Sequence, residues 1–136
     1  MADYYANCVL QPYLPENLVT DADEAFLSAF GFAANRQGGA VYLYAEEYTG
    51  SGMVYDDPVE GEREVEEADL SARLQEIIRR SRGAVPWISL EFAYTCSKMK
   101  SDGFGGSAWF ITGDSVEDIS TSGWLQEKIR LMAVAA

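Results

Sequence analysis

The chain has 136 residues, 48% of them hydrophobic and 24% charged, which is typical of a single globular domain. Its formal net charge is −12, so it repels nucleic acid and anionic membranes, and direct nucleic-acid binding is not expected. No apolar run approaches the ~18 residues of a membrane span, and the pattern of the first ten residues does not predict an export signal. With only Cys8 and Cys96, the sequence predicts a reduced, cytoplasmic protein with two buried thiols.

The charge is divided unequally along the chain. Residues 1–69 carry fifteen acidic side chains and two arginines, a balance of −13, whereas residues 70–136 carry seven acidic and eight basic side chains, a balance of +1. Natural partners for such a chain are cationic, either basic proteins or divalent metals. A basic protein, a class that includes nucleic-acid-binding proteins, is therefore the expected partner.

The first half of the chain predicts two strands and a helix. Aromatic and β-branched residues favour a strand at 4–10. Thr20 is placed to cap a helix, with Asp23 in the capping-box position, and the helix should end at Gly31. In the segment 40–48, AVYLYAEEY, Val, Leu and Ala alternate with Tyr and Glu as in a half-buried strand.

The second half predicts a helix followed by a hairpin. Asp69 can cap a helix at 70–82, in which four apolar residues recur on one face: Leu70, Leu74, Ile77 and Ile78. Alternation at 87–95 predicts the clearest strand, with 107–112 as its hairpin partner. A short edge strand or a single turn fits 113–121.

A third helix is predicted near the carboxyl end. Ser122 can cap it, and Leu125, Ile129 and Met132 fall on one of its faces. The resulting order is β-α-β-α-β-β-α. It predicts one α+β domain over 1–136, with two layers: a four- to five-stranded antiparallel or mixed sheet with about three helices on one face.

The segment 56–69, DDPVEGEREVEEAD, holds eight carboxylates and one arginine. Pro58 and Gly61 disfavour a helix, and like-charge blocks usually form solvated loops, so the sequence predicts an acidic loop. In an extended conformation, alternate glutamates would follow one side at ~6.6 Å per residue pair, like the regular charge of a nucleic-acid strand. The spacing does not fit a calcium-binding loop, and no metal site is expected.

Tyrosine is concentrated in the same half of the chain, and Tyr42 and Tyr44 share one face of their predicted strand. Carboxylates with tyrosines suit an arginine-rich surface, through ion pairs and cation–π contacts. Alternatively, the tyrosines cover the second face of the sheet beneath a helix. The candidate partner-binding residues are Asp56, Asp57, Glu60, Glu62, Glu64, Glu66, Glu67, Tyr42 and Tyr44.

The chain contains no histidine, which removes the Ser-His-Asp and Cys-His nucleophile arrangements. We therefore assign no catalytic residue and no cofactor, and whether the protein is an enzyme stays open. A second hypothesis is a small enzyme or anion-binding module built on the loop 97–107, because its cations and glycines could approach an anion. The residues concerned are Lys98, Lys100, Gly103, Gly105 and Gly106.

A third hypothesis is a homo-oligomer in which the acidic half of one copy meets the basic 79–100 region of another. Of the three, the sequence favours a non-enzymatic acidic binding protein that docks on a basic partner surface. Its more specific form is a nucleic-acid mimic, or an inhibitor of a nucleic-acid-binding protein.

Overall fold

An antiparallel sheet of seven strands is the centre of the structure, a computed structural model that describes residues 2–50 and 53–135. In chain order the elements are β1 (Tyr4–Gln11), β2 (Leu14–Pro15), α1 (Asp21–Ser28), β3 (Phe32–Gln37), β4 (Ala40–Ala45), β5 (Met53–Asp57), β6 (Gly61–Val65), α2 (Glu67–Arg80), β7 (Ile88–Cys96), β8 (Gly105–Ile111), β9 (Val116–Ser120) and α3 (Thr121–Ala135).

The strands of the large sheet are connected in the order β2-β4-β1-β7-β8-β9. Along one edge β4 pairs with β1 and β2, and along its other edge it pairs with β3. The strands β5 and β6 form a separate hairpin. Every pairing is antiparallel. Cys8 lies opposite Phe92, and Leu90 lies opposite Trp109. Because side chains alternate between the faces of a strand, this register collects the apolar residues on one face.

The helices α1 and α2 cover that face, which we call the helical face. Thr20 and Asp23 form the predicted capping box at the start of α1. All four apolar residues of the predicted α2 stripe are at most 5% exposed, and burying side chains of this size contributes about 1.5 to 3 kcal/mol each. The opposite face of the sheet carries neither of these helices, and we call it the open face.

The α+β class, the three α-helices and the antiparallel pairing confirm the sequence-based prediction. The count of four to five strands is wrong, and so is the placement of all three helices on one face, because α3 lies beside Ala108 and Ile119 of the open face. The sheets contain seven and two strands. β3 was missed because only Phe32 among its residues is buried, so it pairs through its backbone without an alternating apolar pattern. No helix in the described ranges is long and apolar enough to cross a membrane.

The structure also corrects the acidic loop expected at 56–69, which is largely regular. It contains the end of β5, a tight turn, β6 and the first turn of α2. The Asp57 carboxylate closes the turn by accepting the N–H groups of Val59 and Glu60. Buried Tyr55 packs edge-on against Phe26, with ring centroids 5.2 Å apart. Pro58 lies in the turn, so it does not interrupt either strand.

Two helix starts also differ from the prediction. α2 begins at Glu67 rather than at residue 70, and Asp69 accepts a hydrogen bond from the Glu66 N–H at 2.8 Å. α3 begins at Thr121, directly after β9. The Ser120 hydroxyl, rather than that of Ser122, accepts the Gly123 N–H at 3.0 Å.

Asp23 is a fully buried carboxylate that joins α1 to α2. It accepts the Thr20 N–H at 3.0 Å, Arg73 Nη1 at 3.2 Å and a further bond from Arg80. Burial alone would raise the pKa of Asp23, but the hydrogen bonds from Thr20 and Arg80, with the positive charge of Arg80, hold the pKa below its usual value. Arg73 also lies over the Phe26 ring, 4.5 Å from its centroid.

Replacing Asp23 with Asn should destabilise the fold by about 1.5 to 3 kcal/mol at neutral pH, because charge-assisted hydrogen bonds to two partly exposed arginines are lost. The pKa of Asp23 is lower in the folded state, so its stabilisation is complete above the unfolded value of about 3.9 and is lost as pH falls through the folded value. Urea unfolding measures the free energy of unfolding of the unmodified protein and of the Asp23→Asn variant. The difference between the two values should therefore shrink as the pH is lowered from neutral to acidic. Exposed Asp21→Asn is the control, and an equal effect of the two changes would contradict the account.

Candidate functional site

A large open cleft of about 1130 Å³ lies at the end of the helical face that α1 and α2 leave uncovered. Six segments form it: the start of β1, residues 46–49 after β4, the start of α2, the end of β7, β8 with the loop that leads into it, and the β9–α3 junction. Tyr94 and Trp109 line the cleft and also pack against the core. The cleft is thus built on the sheet rather than on isolated loops.

Aromatic and acidic side chains dominate its lining. The aromatic residues are Tyr4, Tyr5, Tyr48, Tyr94, Phe104 and Trp109. The carboxylates are Asp3, Glu46, Glu47, Glu67, Asp102 and Asp118. Within the described parts of the chain, no lysine or arginine lines the cleft, so its potential is negative.

Among the described residues, no cation neutralises these six carboxylates. Ion pairs elsewhere hold Arg36 to Glu16 and Glu24, and Arg80 to Asp23 and Glu76. Across residues 2–50 and 53–135, by contrast, none of the cleft carboxylates forms an ion pair. A cationic ligand would therefore meet carboxylates that have no cationic partner in the described part of the chain.

One wall of the cleft is fixed by contacts between residues 46–48 and β1. The Asn7 side chain donates to the Glu46 carbonyl at 2.8 Å, and the Tyr48 N–H donates to the Ala6 carbonyl at 2.9 Å. Gly31, at φ +94°, permits the close approach of this segment, because a Cβ there would lie 2.2 Å from the Glu47 carbonyl oxygen.

The opposite wall joins the amino terminus to the 97–104 loop. The Ser97 N–H donates to the Asp3 carbonyl at 2.9 Å, and the Asp3 N–H donates to the Ser97 hydroxyl at 2.8 Å. Gly103 is buried here. The position has no room for a side chain, because a Cβ would lie 2.5 Å from Cys96 Cβ and 2.8 Å from the Tyr4 ring. The neighbouring Asp102 carboxylate raises the pKa of Tyr4.

Tyr48 connects the cleft to the core. Its hydroxyl donates to Glu67 Oε2 at 2.5 Å, and its ring packs edge-on against Phe92 at a centroid distance of 4.8 Å. Burial, followed by the Glu67 hydrogen bond and charge, raises the pKa of Tyr48 far above its usual value. Tyr48 therefore stays protonated and holds the Glu67 carboxylate at the cleft wall.

Of the predicted partner-binding residues, only Glu67 lines the cleft. The expected row of four alternating glutamates does not form. Glu60 lies in the turn between β5 and β6, and Glu66 is the N-cap residue of α2. Glu62 and Glu64 do share one exposed strand face, with Asp56 directly opposite Glu62. We call these three carboxylates the hairpin acidic face.

The other face of the hairpin is partly neutralised by Arg63. Its Nε lies 3.5 Å from an Asp57 carboxylate oxygen and 3.7 Å from one of Glu60, and its Nη1 lies 3.8 Å from Asp69. Asp57 and Glu60, which the sequence placed in the partner-binding set, therefore interact within the chain. The hairpin acidic face has no such partner among the described residues.

Tyr42 and Tyr44 lie on the open face, away from the hairpin, which packs on α1. Their rings stack at 5.2 Å between centroids, and Tyr13 stacks on Tyr42 at 5.0 Å. Neither α1 nor α2 covers them, so the alternative that places them beneath a helix is not favoured. The structure does not bring these tyrosines together with the acidic segment.

The residues of the anion-binding hypothesis are also separated. Gly103, Gly105 and Gly106 line the cleft, whereas Lys98 and Lys100 are exposed outside it. Six carboxylates around these glycines oppose the approach of an anion. Close packing against Cys96 and Tyr4 explains why residue 103 is a glycine, and a bound ligand is not needed to explain it.

Sequence patterns did not reveal the remaining cleft residues. Asp3, Asp118 and Trp109 are distant in sequence, and only the sheet register brings them together. The local sequence feature that could have indicated the cleft was the adjacent pair Glu46 and Glu47, which directly follows β4.

Cys8 and Cys96 are buried, as predicted. Burial raises the pKa of Cys8 to about 12, which keeps this thiol protonated and unreactive at neutral pH. Among the described residues, no group of three Cys, Asp or Glu side chains is arranged to hold a metal ion.

No protein-family model matches the chain, and no curated protein or solved structure matches it significantly. The functional argument therefore depends on the chemistry of the cleft.

Replacing Tyr48 with Phe should lower the free energy of unfolding by about 1 to 3 kcal/mol, because a hydrogen bond to a charged acceptor is lost. Urea unfolding monitored by tryptophan fluorescence measures the difference. The control is Tyr44→Phe on the open face, which removes a tyrosine hydroxyl that lies outside the cleft. Equal effects of the two changes would show that the Tyr48–Glu67 bond does not stabilise the cleft.

Proposed function

We propose that the protein is a non-enzymatic acidic binding protein that docks on a basic partner, and that the acidic cleft receives a lysine- or arginine-rich segment of that partner. The observation that carries this proposal is a cleft lined by six carboxylates and six aromatic rings, with no cation of the described chain among its lining residues.

The lining chemistry fits arginine in particular. A guanidinium group donates two parallel hydrogen bonds to a carboxylate and stacks on aromatic faces, so it can use both kinds of lining residue at once. The volume of about 1130 Å³ lies above the usual range of roughly 300 to 1,000 Å³ for small-molecule pockets. It therefore suits several consecutive side chains better than one small cation.

The distribution of charge supports the same proposal. Residues 1–69 carry a balance of −13, and they supply four of the six cleft carboxylates, namely Asp3, Glu46, Glu47 and Glu67. A strongly negative surface raises the rate at which basic partners associate, and this effect falls as salt screens it.

A nucleic-acid mimic is a second candidate function, which would use the hairpin acidic face instead of the cleft. Glu62 and Glu64 follow one strand at ~6.6 Å spacing, with Asp56 about 5 Å across from Glu62. Of these three charges, Glu62 and Glu64 are what remains of the row of four alternating glutamates that the sequence predicted. An enzyme or anion-binding module has no comparable support in the geometry.

Binding of a short arginine-rich peptide, measured by isothermal titration calorimetry, tests the proposal. The triple change Glu46→Gln, Glu47→Gln and Asp118→Asn should weaken binding about tenfold, since each exposed ion pair contributes about 0.2 to 1 kcal/mol. These side chains are exposed, so the fold should be unaffected.

The matched control removes the same number of charges from the hairpin acidic face, through Asp56→Asn, Glu62→Gln and Glu64→Gln. It should leave the affinity nearly unchanged. Equal weakening by both triple variants would reduce binding to general charge attraction, and weakening by the hairpin variant alone would transfer the site to the hairpin. Absence of peptide binding at low salt would overturn the cleft proposal.

A further inference from the structure

The helix α3 projects from the domain with its apolar side chains in solvent. None of its described side chains, residues 121–134, is buried. Ile129 is 67% exposed, Met132 72% and Val134 74%. The predicted stripe of Leu125, Ile129 and Met132 is present in the sequence, but the domain does not cover it.

The domain holds α3 mainly at its first turn. The Thr121 hydroxyl accepts the Gly106 N–H at 3.0 Å and donates to the Gly106 carbonyl at 3.3 Å. An isolated helix of about 15 residues is marginal in water, and most helices in proteins are stabilised by packing of an apolar face. A helix so apolar therefore requires a packing partner, which the described residues of this chain do not supply.

A second unpartnered surface lies beside α3. A groove of about 490 Å³ separates the first turns of the helix, at Trp124 and Leu125, from the open face at Ala108 and Ile119. Ile119 is 65% exposed and nearby Phe110 44%. One chain thus presents both an apolar helix and an apolar groove next to it.

We propose that the occupant of this groove is α3 of a second copy of the chain, with the two copies exchanging helices around a two-fold axis. Such an interface is self-complementary, because each copy contributes the same helix and the same groove. This proposal does not depend on the acidic cleft or on any basic partner.

The exposed apolar area matches what a stable dimer needs. The side chains concerned are Phe110, Ile119, Trp124, Leu125, Ile129, Leu131, Met132 and Val134. At roughly 100 Å² of exposed surface for side chains of this size, they present roughly 800 Å², which is about the area that each partner buries in a standard stable interface.

Local charge is also complementary. The open face near the groove carries Glu91 and Glu117, and α3 carries Lys128, whereas Arg130 is already paired with Glu127 of the same helix. Lys128 lies over the Trp124 ring at 5.4 Å from its centroid, at the edge of the groove. The proposed dimer interface differs from the homo-oligomer that the sequence predicted. In that homo-oligomer the acidic half of one copy meets the basic 79–100 region of another, and opposite charges rather than apolar surfaces would hold the copies together.

Mass in solution, measured by light scattering after size exclusion, tests the proposal at ~100 μM protein, well above the dissociation constant of a specific dimer. The unmodified chain should have the mass of two chains. Added salt should preserve or strengthen the dimer, because salt screens the repulsion between two copies of charge −12.

Ile129→Glu on α3 and Ile119→Glu on the open face should each give the mass of one chain, with a reduced helix signal in circular dichroism. Val59→Glu is the matched control, because Val59 is 92% exposed in the β5–β6 turn, and it should leave the dimer intact. A single-chain mass for the unmodified protein would overturn the proposal. So would a dimer that survives both isoleucine changes, since the interface would then lie elsewhere.

Discussion

The structure depends on the packing of two helices against one face of an antiparallel sheet. Strand alternation places Leu10, Leu43 and Leu90 on that face, and the buried pairing of Asp23 with Arg73 and Arg80 holds the two helices together above it. Two short helices cannot cover a sheet of seven strands. The uncovered end of the helical face becomes the cleft, and the whole open face is left for other contacts.

Charge and apolar surface are separated by this arrangement. The cleft gathers carboxylates from five segments, and none of them forms an ion pair with a described residue. On the open face the exposed residues beside α3 are mainly apolar. Gly106, Ser107 and Ser120 line both the cleft and the groove, so a basic segment and a second copy would bind on adjoining sides of the same strands. Salt should weaken the first contact and not the second.

Local patterns predicted the elements whose side chains are buried. The capping box at Thr20, the α2 stripe and the alternation of β7 all depend on residues close in sequence, and the structure has all three. The β5–β6 hairpin was not predicted, because its high charge concealed the anchoring of Tyr55 and Val65 in the core. The cleft could not be predicted, because only the register of distant strands brings Asp3 near Asp118. The exposure of α3 likewise depends on tertiary packing.

The most direct test of the cleft is an NMR titration of the isotope-labelled protein with an arginine-rich peptide at near-physiological salt, where general charge attraction is screened beyond ~8 Å. The account predicts that the largest shifts fall on the backbone amides of Tyr4, Tyr48 and Gly103 and on the Trp109 indole N–H, all in the cleft lining. Residues 54–64 of the hairpin should shift little. Shifts concentrated in that hairpin, or spread evenly over the acidic surface, would contradict the assignment of the cleft as the binding site.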